Sequence, residues 1–202
     1  MLWSRLKTFR SILPLLLPFS SFYYENGYFR ICIIYLNNDK YSMAIKKTNY
    51  SLQTTNWQSH CASLKLIRQQ VFIEEQNVPV ELEWDGLDEK ACHILAQVIT
   101  AGKKLAIGTA RITLNNTEDP VKKAHIGRMA VLAAWRGQGI GSDILHACID
   151  ECRKLKVKKI VLNAQVDVIP FYQKAGFEIS SKEFLDANIP HKQMTRLLEN
   201  QT

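Results

Sequence analysis

The chain lacks most of the features that would assign it quickly. Its 202 residues contain no run of about 20 apolar residues, the length a membrane-spanning helix needs. There is no internal repeat and no long polar stretch of the kind that stays disordered. Five cysteines, at positions 32, 61, 92, 148 and 152, are odd in number, irregular in spacing and free of any C-x-x-C pair. That argues against a disulfide framework and for free thiols in a reducing compartment, so a cytoplasmic location is expected. Cys148 and Cys152 stand four apart on a predicted helix and read as small core residues, not as half of a metal site. No metal is expected. No Lys/Arg run is interleaved with aromatics, so the net charge of +7 does not indicate nucleic acid. A modest positive balance suits a phosphate-rich ligand.

What is present is an ordinary globular balance, 47% apolar and 22% charged, which at this length allows one domain with a sizeable core. The first 42 residues read differently. Met1–Arg10 is basic, and the apolar run from Ile12 to Phe19 is broken by Pro14 and Pro18. This imitates a secretory signal peptide, but Ser20-Ser21-Phe22-Tyr23 stands where a small-residue cleavage site belongs. A second apolar patch, Tyr28 to Leu36, contains Arg30 and is too short to span a membrane. Residues 1–42 are therefore read as an appended, targeting or mis-started segment. The domain proper is expected over 43–202, with Met43–Lys47 as its first strand.

Within that domain, Thr55 with Gln58 has capping-box spacing, and Asn56 is also a good cap. Trp57, Cys61, Leu64, Ile67 and Val71 recur at helical spacing, which predicts a helix from Asn56 to Phe72. Residues 73–90 are acidic and irregular and predict a loop with short helical turns. Ala91–Thr100 and Leu105–Leu114 predict a hairpin, and Lys122–Leu132 a third strand. Gly139–Leu155 predicts a helix with Ile140, Ile144, Leu145, Cys148, Ile149, Cys152 and Leu155 on one side, and with an Asp150–Lys154 pair outside. A short strand ends at Asn163, a short helix spans Pro170–Ala175, and Phe177–Ser180 and Gln193–Leu198 close a mixed α/β sheet.

The most specific local signal is Arg136-Gly137-Gln138-Gly139-Ile140-Gly141. It follows a predicted strand and opens a predicted helix. A helix start offers unpaired N–H groups and partial positive charge, so it binds phosphate well. Glycines let the backbone come close to the ligand, and Arg136 adds a charge-assisted donor. No Gly-Lys-Ser/Thr follows, which excludes a Walker A loop, and the glycine spacing departs from the dinucleotide fingerprint.

In context this segment resembles the Q/R-x-x-G-x-G/A pyrophosphate signature of the GNAT acetyltransferase superfamily. Met129-Ala130-Val131 before it, Asn163 after it, then Phe171-Tyr172 and Lys174-Ala175-Gly176-Phe177 follow the order of that family. Val71–Pro79, Leu162–Gln165 and Phe184–His191 look like a bacterial subgroup whose substrates are mostly unassigned. The resemblance implies an α/β GNAT fold: a mixed, mostly antiparallel sheet with a splayed central strand pair, flanked by helices. It implies acetyl-CoA as co-substrate, with Met129, Ala130 and Val131 lying along pantetheine and pairing through the backbone of Met129 and Val131. Residues 136–141 would then hold the pyrophosphate, Asn163 would bond the pantetheine arm and Phe171 would pack on it.

Tyr172 matches the family's proton donor to the leaving thiolate. The base is less defined. An acidic group (Glu74, Glu75, Glu81, Glu83, Asp85, Asp88, Glu89) suggests a site for a small cationic amine, with Glu75 as first choice for the base and His93 and His125 as alternatives. Arg128 is an inward or site-facing candidate with no assigned role. The expected activity is acetyl transfer to an amine; the alternative is a non-catalytic acyl-CoA sensor or scaffold. An exposed sheet edge would also allow a homodimer.

Overall fold

In a computed structural model of the protein, the described residues are Ser20–Glu25, Tyr28–Asn37 and Lys40–Met43 as backbone strands, then 49–100, 102–115 and 121–199 with side chains. The chain divides into two units, Met1–Lys47 and Thr48–Thr202. In the first, β1 (Ser20–Glu25), β2 (Tyr28–Asn37) and β3 (Lys40–Met43) form an antiparallel sheet in that order. Met43 thus ends a strand of the small unit. The remainder of the strand expected over Met43–Lys47 lies outside the described residues.

The larger unit runs β4 (Tyr50–Thr55), α1 (Trp57–Arg68), a π-helical turn (Gln69–Glu75), α2 (Val80–Glu83) and a 3-10 turn (Asp88–Lys90). There follow β5 (Cys92–Thr100), β6 (Lys103–Leu114), β7 (Lys123–Val131), α3 (Ile140–Lys154), β8 (Lys159–Gln165), α4 (Ile169–Lys174), β9 (Glu178–Asp186) and β10 (Ile189–Leu197). The sheet order is β4-β5-β6-β7-β8-β10-β9. All neighbours are antiparallel except β7 and β8.

Several local expectations need correction. The cap of α1 is Asn56, whose side chain accepts from Ser59 N at 2.9 Å; the Thr55 hydroxyl goes instead to His60 Nδ1 at 2.7 Å. The α-helix stops at Arg68, and the wider π turn carries the chain on to Glu75 with Val71 still buried. On α3, the Asp150–Lys154 pair is replaced by two i,i+3 pairs, Arg153 with Asp150 and Lys154 with Glu151. Strand β8 does not end at Asn163 but continues to Gln165.

Apolar side chains cover both faces of the sheet. Helix α3 packs Ile140, Ile144, Leu145, Cys148, Ile149 and Cys152 against Ile94, Ile107, Ile112, Ile126 and Ile160. On the other face, α1 packs Leu64 and Ile67 against Leu95, Ala106 and Ala130. Burial on both faces is why β5 and β6 read as near-continuous apolar runs. Gly108 lets α3 come close: a Cβ there would meet Ile144 Cδ1 at 2.8 Å and the Ala130 carbonyl at 3.2 Å.

Strand β7 carries two irregularities near the middle of the sheet. Its parallel pairing with β8 is limited to Lys123, Ala124 and His125 against Lys159, Ile160 and Val161. Beyond that point no register pair joins the strands, and they splay. On its other side, β7 pairs Gly127 with Arg111 and then Ala130 with Thr109. One residue of β6 therefore faces two of β7. Arg128 occupies this bulge with φ +51°. A bulge reverses the alternation of side chains along a strand, and the packing agrees: Ile126 lies in the α3-side core while Ala130 lies in the α1-side core.

Candidate active site

The splay between β7 and β8 opens a cleft of about 860 Å³. One side is built by consecutive sequence. Val131, Trp135, Arg136, Gly137, Gly139, Ile140, Gly141 and Ser142 line it, followed by Asn163, Phe171 and Tyr172. Gly137 and Gly139 sit at φ +74° and +86°, so the chain turns through left-handed torsions before α3 begins at Ile140. Such torsions are open to glycine and strained for L side chains. The turn points the first N–H groups of a 15-residue helix at the cleft, a site for an anion.

Deeper in, Met129 and Val131 approach Phe171 across Gly141, where an added Cβ would meet all three side chains at 3.9 Å. The Tyr172 hydroxyl has Met129 Sδ at 3.9 Å, a weak acceptor. Burial, with a smaller electrostatic contribution from Cys148, pushes the Tyr172 phenol up to about 12. It keeps its proton at any working pH. Asn163 Oδ1 is buried without a hydrogen-bond partner among the described residues. A buried acceptor of that kind costs about 1–3 kcal/mol unless a ligand donor reaches it.

The other side of the cleft is assembled from distant segments: Gln76, Glu83, His125, Arg128, Gln165 and His191 all line it. Gln165 Nε2 donates to Gln76 Oε1 at 3.0 Å, tying β8 to the turn after α1. Burial, reinforced by Arg111 and Arg128, lowers the pKa of His125 and keeps the ring neutral. His191 is 8% exposed, its Nδ1–H donating to the Ile189 carbonyl at 2.8 Å.

A family model described as an acetyltransferase (GNAT) domain matches residues 89–198. The chain belongs to the GNAT acetyltransferases. It is 37% identical over 131 residues to YjcF of Bacillus subtilis, named an uncharacterized N-acetyltransferase, covering 64% of this chain and 87% of that one. The crystal structure of Escherichia coli ElaA superposes with a TM-score of 0.62 at 26% identity, over 73% of this chain and 99% of that one. An acyl-CoA N-acyltransferase from Pseudomonas aeruginosa has the same fold, with a TM-score of 0.63 at 23% identity, over 73% and 99% of the two chains.

The GNAT family transfers acyl groups from acyl-CoA, and the residues of the first side fit such a ligand. The glycine turn and helix start suit phosphates, the unpaired edges of β7 and β8 offer backbone groups, and Asn163 Oδ1 awaits a donor.

Not every residue expected at the site stands as expected. Arg136 donates through both terminal nitrogens to the two oxygens of Glu75 at 2.6 Å, and through Nε to the Val131 carbonyl at 2.8 Å. The residue read as a base is therefore clamped by the residue read as a phosphate ligand. Glu75 does not line the cleft, and both of its carboxylate oxygens are taken up by the Arg136 guanidinium. Gln138 also falls outside the lining, with Nε2 near the Ala134 carbonyl at 3.5 Å.

The acidic loop needs a larger correction. Arg68, 1% exposed, bonds Glu83 and reaches Asp88 at 2.5 Å, between the rings of Trp57 and Trp84. Arg111 takes Asp85 at 2.5 Å and Asp88 at 2.9 Å. Arg128 takes Glu83 at 2.9 Å, Asp85 at 3.2 Å and the Leu82 carbonyl at 2.7 Å. Three guanidinium groups thus neutralise three carboxylates. Burial pushes the Asp85 carboxyl up, but hydrogen bonds from Arg111 and Leu87 N–H outweigh it and hold the group at about 2. These acids position the loop and do not form a bare cation-attracting surface.

His93 is likewise structural. It is buried, and its ring hydrogen-bonds the Asp88 carbonyl at 3.0 Å. Sequence reasoning passes over Gln76 and Gln165 and gives His191 no role. The available signal is the Phe184–His191 segment, whose resemblance is visible but whose place beside β8 is not.

Proposed function

We propose that this protein transfers an acetyl group from acetyl-CoA directly to a primary amine, with Tyr172 as the donor to the departing sulfur. The observation that carries this reading is the buried, unpartnered Asn163 Oδ1 at the splay of β7 and β8, in the same cleft as the Tyr172 hydroxyl. Asn163 would accept from an amide N–H of the pantetheine arm, and Phe171 would cover that arm. Gly137, Gly139, Ile140 and Gly141 would receive the pyrophosphate at the start of α3. Release of Glu75 would free Arg136 for the same phosphates, and Met129, Ala130 and Val131 would flank the pantetheine.

Acyl-CoA brings the electrophilic thioester carbonyl and a thiolate leaving group. The chain's part is to orient that carbonyl, keep water out and manage two protons. A phenol held at about 12 stabilises the developing thiolate chiefly by hydrogen bonding, since a thiol ordinarily ionises near 8.5. Full transfer of its proton is then coupled to reprotonation from the reacting amine.

The test is release of CoA thiol by purified protein across polyamines, amino sugars and lysine-like amines, with acetyl-CoA affinity measured in parallel. Release with at least one amine is expected. Tight acetyl-CoA binding with no release across the panel would overturn catalysis in favour of a sensor or scaffold.

A further inference from the structure

We infer that His191 is the group that takes the proton from the acceptor amine, a role built by the β9–β10 hairpin. This rests on the acyl transfer proposed above.

The hairpin sets the ring in three ways. Ala187 and Asn188 both have positive φ, +48° and +62°, which makes the tight two-residue turn that pairs Asp186 with Ile189. His191 Nδ1–H then donates to the Ile189 carbonyl at 2.8 Å. Phe184, its cross-strand partner, stacks on the ring with centroids 6.1 Å apart and planes at 25°. A backbone carbonyl on one ring nitrogen fixes the tautomer and leaves the lone pair on the other. Here that is Nε2, which has no protein partner among the described residues. The ring lines the cleft, and it sits opposite Gln165 on β8, in the same register as the Gln193–Asn163 pair.

Strand alternation places this ring on the side where an acceptor can arrive. On β8, Leu162 and Ala164 enter the α3-side core, so Asn163 and Gln165 face the other way, as does His191 opposite Gln165. Before the bulge, His125 alternates with Ala124 and Ile126, which also enter the α3-side core, so His125 shares that side. After the bulge, Met129 and Val131 turn toward α3, Phe171 and Tyr172. The donor to sulfur and the acceptor of the amine proton thus stand on opposite sides of the splay, as attack at a carbonyl between them requires. The charged and titratable groups lining the same cleft are Glu83, His125, Arg128, Arg136, Asp186 and Tyr172. Lys192 and Glu183 beside the ring face each other, Nζ to Oε2 3.9 Å. With Glu75 clamped, His93 bonded and Glu83 held by arginines, His191 is the imidazole with a fixed tautomer and an open nitrogen.

The proton balance is complete. The ammonium gives one proton to His191 Nε2. The amine lone pair forms the C–N bond as the C–S bond breaks. The second N–H proton reaches the sulfur by way of the Tyr172 hydroxyl, and the imidazolium returns its proton to solvent. Ammonium and thioester become amide, thiol and one free proton.

Two measurements test this. Histidine 15N NMR of the free wild-type protein should show His191 as the Nδ1–H tautomer; an Nε2–H tautomer would overturn the inference without any variant. His191→Gln should keep acetyl-CoA affinity but lower the rate with spermidine at pH 7 about a hundredfold. That defect should shrink with methoxyamine, which is already neutral at pH 7, and His191→Ala should regain rate with added imidazole. A uniform loss with both amines and no rescue would mean a structural role. Silence of the wild-type protein toward every amine would instead count against acyl transfer itself.

Discussion

The two sides of the cleft are made in different ways. The side proposed to hold the cofactor comes from two short stretches, 129–142 and 163–172, in which one strand, one glycine turn and one helix start supply the groups. The side proposed for the acceptor draws Gln76, Glu83, His125 and His191 from four further segments, together with Gln165 of β8. Local sequence can specify the first, because turn torsions and a helix N-terminus are local properties. The second exists only when α1, the loop after it and the β9–β10 hairpin are docked, so its integrity depends on the buried arginine network.

Breaking that network is expected to have the largest effect. Arg68→Leu leaves Glu83 with Arg128 alone and Asp88 with Arg111 alone, so one buried negative charge in the network goes uncompensated, which should cost about 3–5 kcal/mol in chemical denaturation. Acid should act on the same place. Asp85 is held at about 2 and Asp88 is also lowered, in each case because guanidinium contacts outweigh burial. The unfolded chain therefore binds more protons than the folded one below the ordinary carboxylate range, and stability should fall as pH drops from about 4 toward 2. A flat pH–stability curve over that range would contradict the network.

On the cofactor side the effects should be kinetic. Tyr172→Phe is expected to lower kcat about a hundredfold with acetyl-CoA affinity nearly unchanged in calorimetry. A parallel fall in affinity would make Tyr172 a packing residue. Gly139→Val forces a branched side chain into φ +86°, a strain of about 1–2 kcal/mol. It should weaken acetyl-CoA binding about tenfold with little change in kcat. The smallest effect belongs to Asn163→Leu: loss of one hydrogen bond, about 0.5–1.5 kcal/mol, read as a higher KM for acetyl-CoA. An unaltered KM would remove the pantetheine role of Asn163.

Much of the fold is legible in the sequence because its apolar periods are strong. Of the residues predicted to line α3, those from Ile140 to Cys152 are all buried and Leu155 is half-buried, and β5 and β6 carry long apolar runs. Strand β4 is not legible, as Tyr50–Thr55 is mostly polar and nowhere fully buried, with Ser51 and Thr54 exposed and the rest half-buried. It is held through pairing with β5, a partner sequence alone does not name. The π turn is hidden for a related reason: an apolar period continues through it while the hydrogen bonding changes.

Sequence by itself determined the order strand, glycine turn, helix, strand, tyrosine, and with it the side of the cleft proposed to hold phosphate. Those features rest on torsions and periods within a few residues of each other. Only the tertiary structure decided the other side. It showed which carboxylates are neutralised by Arg68, Arg111 and Arg128, that Arg136 clamps Glu75, that a bulge at Arg128 reverses the facing of β7, and that His191 stands across from Gln165. Charge pairing and register join residues far apart in the chain, and no local pattern carries that information.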